Sequence, residues 1–289
     1  MRPGVRPHSS SRRLRLLLIA LAAAAGLLLL IAGPAGADAI SPEAGPTKNA
    51  VDTDTLYKIV FFMGCAVVGV VWAILFYSLF RFRARRRRVP PQIRGNTALE
   101  ISWTVAATTI VVAIATVELI MLPGIKNPQA SGPDGLAEAR SENATVDQPP
   151  VPGGKGINVK VSGQQYFWRF QYPNGAVSFH DLIAPRDTTV TLDITSNDVA
   201  HSWWIPDLGP KFDAIRGYTN QSWFKATKTG TFEGQCAEFC GPNHTFMTAK
   251  VVVVEPDRYQ QWVEDQKKQI QQAQKQVLKE KPRFEGAGG

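Results

Sequence analysis

Residues Gln235–Met247 read Gln-Cys-Ala-Glu-Phe-Cys-Gly-Pro-Asn-His-Thr-Phe-Met, and they concentrate the metal-binding side chains of the chain. The whole sequence has only three cysteines, four histidines and four methionines, yet two cysteines, one histidine and one methionine fall within these thirteen residues. Thiolate, imidazole and thioether together form the ligand set that suits copper among the biological metals. Because Gly241 and Pro242 keep the segment from continuing as a helix or a central strand, we predict a loop.

A further histidine, His201, lies upstream of this loop in the run Ala-His-Ser-Trp-Trp-Ile-Pro. Two cysteines, two histidines and one methionine are more donors than one four-coordinate ion needs, so the donor count predicts two metal ions that share the thiolates. Two other uses of the cysteines are a disulfide between Cys236 and Cys240 in a protein outside the cytoplasm, and half of a zinc site, although zinc rarely recruits methionine. His244 and Met247 favour copper over both alternatives.

The pattern Cys-x-Glu-x-Cys-x3-His-x2-Met, preceded by His-Ser-Trp, resembles the dinuclear copper (CuA) signature of cytochrome c oxidase subunit II. The resemblance extends over roughly residues 50–265. It implies that five side chains bind two copper ions: His201, Cys236, Cys240, His244 and Met247. It also implies that Glu238 contributes its main-chain carbonyl to copper, while its side chain reaches toward a magnesium ion shared with the catalytic subunit.

The formal net charge of +8 comes entirely from the N-terminal part of the chain. Residues 1–124 have 14 Lys+Arg and 6 Asp+Glu, whereas residues 125–289 have 18 of each. The basic excess lies beside apolar segments, which is typical of membrane topology and not of a nucleic-acid surface. We therefore expect membrane lipid, and no nucleic acid, as a partner.

The N-terminus has the three parts of a secretory signal peptide. Arginines precede an apolar stretch over residues 16–32, and small residues follow up to Ala37. We predict a signal peptide over residues 1–37 that is cleaved after Ala37, and an external N-terminal arm over residues 38–55. The apolar stretch is long enough that a permanent first membrane helix is the alternative.

Two apolar stretches, residues 60–80 and 101–122, each have about 20 residues, the length that crosses the hydrocarbon core of a bilayer. Seven arginines lie in residues 81–100, between the two stretches. Because an excess of arginine marks cytoplasmic loops, we predict a transmembrane hairpin over residues 56–124 with a cytoplasmic loop. Everything after residue 124 is then outside, and the expected location is a bacterial-type plasma membrane.

Glu100 begins the second apolar stretch in the run Leu-Glu-Ile-Ser-Trp-Thr. A carboxylate at a helix start is favoured by the helix dipole without any further role. The run also resembles the family's Leu-Glu-x-x-Trp-Thr motif. That resemblance implies that Glu100 lies at the cytoplasmic mouth of a proton pathway into the catalytic subunit, and the predicted topology puts it on that side.

The external part begins with a linker over residues 125–155, which is rich in Pro, Gly, Ala and acidic residues. Six short runs with β-sheet character follow, separated by turn signals: 157–161, 165–172, 188–194, 222–226, 231–235 and 248–254. Such strands are typical of a small Greek-key barrel, which the resemblance identifies as a cupredoxin domain over residues 156–256. Residues 257–289 read as a C-terminal helix and tail. The expected fold class is therefore membrane-anchored α+β, with a two-helix hairpin, an all-β domain and a C-terminal helix.

The run Tyr166-Phe167-Trp168 resembles the family's aromatic run, whose first member is normally Trp and receives electrons from cytochrome c. The resemblance implies that electrons arrive at Tyr166, Phe167 and Trp168, and packing inside the barrel is the alternative. Residues 207–220 resemble the family's contact with the catalytic subunit, which implies that Asp213 lies near the magnesium site.

The resemblance implies a function for the whole chain. The chain would accept electrons from cytochrome c at its copper pair and relay them to the haem–copper catalytic subunit I. Dioxygen is reduced to water there, coupled to proton translocation, so this chain would contain no catalytic residue for oxygen and would contact other oxidase subunits. Because no Cys-x-x-Cys-His motif occurs, the donor haem must belong to a separate protein. The alternatives are a membrane-anchored copper-binding or copper-delivery module, and a quinol oxidase subunit II relative, a type that lacks the copper ligands.

Overall fold

The computed structural model describes residues 45–83, 92, 94–136 and 151–285, and all of these belong to one compact unit that spans Glu43–Gly289. The predicted signal peptide lies outside the described residues, as do the central arginines of the predicted cytoplasmic loop and the middle of the predicted linker.

Two long helices form the membrane hairpin: α1 (Lys48–Arg81) and α2 (Thr97–Lys126). Both are long and apolar enough to cross a membrane. Their large apolar side chains are exposed along most of their length, which suits helices surrounded by lipid or by other membrane helices. The predicted two-helix anchor is confirmed.

Capping residues set where the two helices begin. The Thr47 hydroxyl accepts a hydrogen bond from the Ala50 N–H at 3.2 Å, so α1 begins well before the apolar stretch and includes residues 48–55 of the predicted arm. The Asn96 side chain accepts from the Leu99 N–H at 3.2 Å, so the end of the predicted loop is also helical. The apolar pattern alone missed these first turns because they are polar.

In the described part of the chain, ten strands form the external domain. They are β1 (Ile157–Gln164), β2 (Phe167–Gln171), β3 (Val177–Phe179), β4 (Asp181–Pro185), β5 (Val190–Ser196), β6 (His201–Trp203), β7 (Phe212–Ala214), β8 (Asn220–Phe224), β9 (Gly230–Gln235) and β10 (Thr248–Val254). One sheet has the order β3-β2-β1-β5-β8, a second has the order β4-β10-β9, and β6 pairs with β7. Strand β1 runs parallel to β5 and antiparallel to β2, while β10 runs parallel to β4 and antiparallel to β9.

The core of this domain lies between the two larger sheets. Alternate residues of β1 and β10 are buried, including Val159, Val161 and Val251, as expected for strands with one face toward a core. Trp168 and Phe170 of β2 fill the space between them and are completely buried. The β-rich external domain that the sequence predicts is confirmed.

Strands β3, β4, β6 and β7 were not among the predicted runs. Strands β3, β6 and β7 have three residues each, too few to show an alternating pattern, and β4 ends in a proline, which weakens a strand signal. The first part of the predicted linker is also more structured than expected. The Ser131 hydroxyl donates to the Lys155 carbonyl at 2.7 Å and accepts from the Thr189 N–H at 2.9 Å, so this loop lies against the start of β5.

The predicted C-terminal helix is present as α3 (Pro256–Glu285), which begins with a proline, a residue favoured at the first helical position. Its first two turns pack on the barrel. Tyr259 and Val263 are buried, and the Trp262 ring lies 4.9 Å from the Tyr172 ring, centroid to centroid. Residues 271–279 are exposed.

Candidate metal centre

Four of the five candidate ligand side chains lie in one loop, residues 236–247, which we call the copper loop, and the fifth, His201, lies outside it. Strands β9 and β10 pair up to Gln235 and Thr248, so they close the base of the loop. The Cys236 N–H donates to the Met247 carbonyl at 2.9 Å and extends this closure into the loop itself. A short 310 turn, His244–Phe246, then directs the side chain of His244 inward.

The sulfur of Cys236 lies at one side of the candidate centre. It is 3.8 Å from Nδ1 of His201, 3.2 Å from the main-chain oxygen of Glu238 and 4.0 Å from the sulfur of Cys240. Both cysteines are free, so the structure does not contain the alternative disulfide. Strand β6 delivers His201 from the barrel wall, opposite the copper loop.

The sulfur of Cys240 lies at the other side. It is 3.5 Å from Nδ1 of His244 and 3.8 Å from the sulfur of Met247. Donor atoms about 2.0–2.3 Å from a tetrahedral ion are separated from one another by roughly 3.3–3.8 Å, so these spacings fit donors that share metal ions. Two thiols, two imidazoles, a thioether and a carbonyl oxygen therefore form a donor set that suits copper.

Burial separates the interior of this centre from its rim. His201, Cys236, Cys240 and Met247 are at most 3% exposed. His244 is half-buried, and the side chain of Glu238 is exposed although its carbonyl oxygen points at Cys236. The ligand atoms of His201, Cys236 and Cys240 all lie within 4.8 Å of one another, and no other group of this kind occurs in the described ranges.

Two residues that the sequence did not single out support the centre. The carboxylate of Asp198 lies 2.8 Å from Nε2 of His201, so Nδ1 of that ring is left facing Cys236. Gln165 donates its main-chain N–H to the same carboxylate at 2.8 Å and its side-chain amide to the Cys240 carbonyl at 2.6 Å. The sequence signal for Asp198 is weak: it is an acidic residue three positions before His201. The sequence contains no signal for Gln165.

The two thiols differ in acidity. Burial raises the pKa of Cys236, but its contacts with His201 and with the main chain at Glu238 and Ser202 lower that pKa to about 7. Burial and the neighbouring sulfur of Cys236 raise the pKa of Cys240 to about 11. Without metal the pair therefore keeps at least one proton near neutral pH, and metal binding must displace it.

The aromatic run divides into one residue beside the copper loop and one inside the core. Tyr166 is half-buried, and a Cβ added at Gly241 would lie 2.6 Å from its hydroxyl oxygen. Phe167 lies on the surface side and packs on Phe179 with ring centroids 5.9 Å apart. Trp168 is completely buried, 5.9 Å from the His201 ring, so it packs in the core and cannot touch a docking partner. Because β2 points the Trp168 side chain inward, only Tyr166 and Phe167 of this run are accessible from the surface, and the role of the run in electron entry stays a prediction.

The remaining predicted residues lie apart from the copper loop. Glu100 is exposed in the first turn of α2, at the far end of the hairpin from the barrel. Asp213 is exposed on β7, opposite Ser202 of β6, and accepts a hydrogen bond through its carbonyl from Asn220. Neither Asp213 nor Glu238 belongs to a cluster of potential metal ligands among the described residues.

Two family profiles match this chain. The profile of the transmembrane domain of cytochrome c oxidase subunit II matches residues 38–121, and that of its periplasmic domain matches residues 176–255. The periplasmic domain of subunit II of cytochrome oxidase from Bradyrhizobium japonicum, a solved structure, is 34% identical, covers 39% of this chain and 94% of its own, and has a TM-score of 0.38.

Two curated relatives are similar over most of the chain. Cytochrome c oxidase subunit 2 of Alkalihalophilus pseudofirmus is 32% identical over 252 residues, which cover 85% of this chain and 68% of the relative. Cytochrome c oxidase subunit 2 of Cereibacter sphaeroides is 28% identical over 268 residues, which cover 79% of this chain and 80% of the relative. With the hairpin, the β-rich domain and the buried cysteine and histidine cluster, these similarities mean that the chain belongs to the cytochrome c oxidase subunit II family.

Proposed function

We propose that this chain is the subunit of a haem–copper oxidase that receives electrons from cytochrome c at a dinuclear copper centre. It then relays them to the catalytic subunit I, where dioxygen is reduced to water and protons are translocated. The observation that supports this most strongly is the convergence of four further donor groups around two cysteine sulfurs 4.0 Å apart. If both thiolates are shared, these donors complete two four-coordinate copper sites.

In this proposal, copper is held by the side chains of His201, Cys236, Cys240, His244 and Met247 and by the main-chain oxygen of Glu238. When bound, the copper pair supplies one-electron chemistry. The protein's part is to hold these donors in place and to exclude water, and both are supported by the burial of His201 and Met247 and by the hydrogen bonds of Asp198 and Gln165. A centre so enclosed does not suit a copper-delivery module, which must release its metal.

Copper stoichiometry tests the proposal. The full-length chain in detergent should bind two copper ions and become purple, with the multi-line resonance of a mixed-valence thiolate-bridged pair. Cys240→Ser should lose this spectrum. Cys65→Ser is the matched control, because Cys65 is a free, exposed cysteine in α1, and it should keep the spectrum. One copper per chain, or tight zinc binding without copper uptake, would contradict the dinuclear site.

We propose that electrons arrive near Tyr166, which lies against the copper loop at Gly241. An aromatic surface close to the centre allows contact, while surrounding charges steer the encounter. In the assembled oxidase, Tyr166→Ala should slow electron transfer from cytochrome c to copper more than it weakens binding, as measured by stopped-flow reduction. An unchanged transfer rate would place the arrival point elsewhere.

We also propose that Glu238 and Asp213 help to bind a magnesium ion shared with the catalytic subunit. Both carboxylates are exposed and unclustered in this chain, which is consistent with a site completed by a partner's ligands. Metal analysis of the assembled oxidase should find one magnesium that Asp213→Ala removes and that copper depletion leaves in place.

The proposed organisation in the membrane has the N-terminal 37 residues removed as a signal peptide, the loop between α1 and α2 in the cytoplasm and the copper domain outside. The arginine-rich loop supports this orientation. Mass analysis of the mature chain from a bacterial membrane should give an N-terminus at Asp38. A chain that retains residues 1–37 would instead have a third membrane helix.

A further inference from the structure

One residue of β8, Trp223, forms hydrogen bonds with both membrane helices. Its carbonyl oxygen accepts a hydrogen bond from the side-chain amide of Asn49, in the first turn of α1, at 2.6 Å. Its indole N–H donates to the carbonyl oxygen of Ile125, in the last turn of α2, at 2.9 Å. Thus one residue of the barrel contacts the outer ends of two helices that are distant in sequence, and at the start of α1 the Thr47 hydroxyl adds a second bond to the barrel, to the Leu208 carbonyl at 3.1 Å.

These contacts are enclosed and closely packed. Trp223 is 2% exposed and Asn49 is 1% exposed. A Cβ added at Gly209 would lie 3.0 Å from the amide nitrogen of Asn49, so the helix end fits directly against the barrel backbone. The Ile125 carbonyl belongs to the last turn of α2 and has no partner within the helix, so the indole supplies a bond that it would otherwise lack.

The strand that contains Trp223 is connected, through the sheet and along the chain, to both sides of the copper centre. Strand β8 pairs with β5, opposite Thr191, and β5 leads through Asp198 to His201. In the other direction, β8 leads through β9 to Cys236. A rotation of the hairpin relative to β8 would therefore change where the copper loop lies above the membrane.

We infer that Trp223 is a positioning residue that holds the copper domain in one orientation on the membrane hairpin. Under the proposed function, from which this role follows, a fixed orientation keeps the copper centre at a constant distance from its electron acceptor in the catalytic subunit. Trp223 touches none of the metal-binding residues in the described part of the chain, so this role is separate from copper binding.

The test measures the orientation directly and without copper. Tyr77 and Tyr218 are each replaced by a ketone-bearing non-natural amino acid that is then spin-labelled. Tyr77 is 63% exposed near the inner end of α1, and Tyr218 is 54% exposed on the barrel. Cysteine labelling is avoided because of the copper-loop thiols. In the full-length chain, the distance between the labels should form a single narrow population. Trp223→Phe, which keeps a ring but removes the donor to Ile125, should broaden that population, and Asn49→Leu should do so independently by removing the bond between α1 and the Trp223 carbonyl.

Trp262→Phe is the matched control, because it removes an indole that packs on Tyr172 of the barrel, and it should keep the narrow population. In the assembled oxidase, Trp223→Phe should slow electron transfer from copper to the haem of the catalytic subunit, while copper content and the KM for cytochrome c stay unchanged. A distance that stays narrow in both Trp223→Phe and Asn49→Leu, or one that broadens equally in Trp262→Phe, would overturn the inference. A chain that binds no copper would overturn the proposed function and leave the distance result valid.

Discussion

Asp198 orients the ring of His201, a proposed copper ligand, through a single contact. Its carboxylate lies 2.8 Å from Nε2 of His201 and thereby leaves Nδ1 free toward Cys236. We predict that Asp198→Asn lowers copper affinity by about 10–100-fold, the usual effect of losing a carboxylate behind a metal-binding histidine. Competition with a copper chelator measures it. Asp265→Asn, which changes an exposed carboxylate on α3, is the control, and equal affinities in the two variants would contradict the role of Asp198.

Tyr172 connects β2 to β4 with a buried hydroxyl. The hydroxyl accepts from the Ile183 N–H at 2.8 Å and donates to the Ile183 carbonyl at 2.9 Å. Tyr172→Phe leaves both groups without this partner, so we predict a loss of about 1–3 kcal/mol in the free energy of unfolding at neutral pH. Denaturant unfolding of the full-length chain in detergent measures it, and Tyr218→Phe, at an exposed tyrosine, should have no effect.

The buried hydroxyl of Tyr172 also makes the stability of the fold depend on pH. Burial raises the pKa of Tyr172 well above its usual value, and burial also raises the pKa of Tyr259. Because the folded-state pKa is above the unfolded value of about 10, the contribution to stability is complete below pH ~10 and is lost as the pH rises further. In Tyr172→Phe the decline of stability above that pH should be shallower than in the wild-type chain. An identical decline would mean that other groups cause the alkaline unfolding.

At the scale of elements, the copper loop fits against the β1–β2 connection because residue 241 has no side chain. Gly241 has φ +131°, and a Cβ there would lie 2.6 Å from the Tyr166 hydroxyl and 2.9 Å from the Gln165 amide. We predict that Gly241→Ala displaces the loop and changes the copper spectrum. Gly217→Ala is the matched control: φ is +77°, but nothing lies within 4 Å of the added Cβ, so backbone strain occurs without a clash. If both variants keep the wild-type spectrum, close packing at Gly241 is not required.

Among the side chains that the structure describes, the buried ones of helix α3 lie in its first two turns. Tyr259, Trp262 and Val263 pack on the core, while residues 271–279 are exposed. We predict that removing residues 271–289 changes the free energy of unfolding by less than about 0.5 kcal/mol, whereas Trp262→Ala costs about 3 kcal/mol. Thermal unfolding compares the two. A truncated chain that stays stable but no longer assembles with the other oxidase subunits would show that the exposed half binds a neighbour.

In the whole molecule, the hairpin places Glu100 far from the copper loop. Glu100 and Ile125 are 25 residues apart on α2, and at 1.5 Å per residue this is about 38 Å. Under the proposed topology, this end of α2 is the cytoplasmic one. We predict that Glu100→Gln slows turnover of the assembled oxidase and leaves copper content and cytochrome c binding unchanged. Steady-state oxygen consumption measures turnover. Glu264→Gln, on the exposed face of α3, is the control. Normal turnover in Glu100→Gln would mean that Glu100 acts only at the helix start.

Features that depend only on residues close together in the chain could be predicted from the sequence. The length and apolarity of the two stretches predicted the hairpin, because a membrane span is a local property. The alternating runs predicted the longer strands, and the spacing of Cys236, Cys240, His244 and Met247 within one loop predicted the donor set. Each of these signals is contained in one short, continuous segment of the sequence.

The tertiary structure alone decided which distant residues meet. Gln165 reaches Cys240 across 75 residues, and Asn49 reaches Trp223 across 174, and no local pattern marks either pair. Only the direction of β2 decided that Trp168 packs beneath His201 and that Tyr166 lies beside the copper loop. Such contacts depend on the order and register of strands far apart in sequence, and these are selected by the packing of the complete core and not by the residues of any one segment.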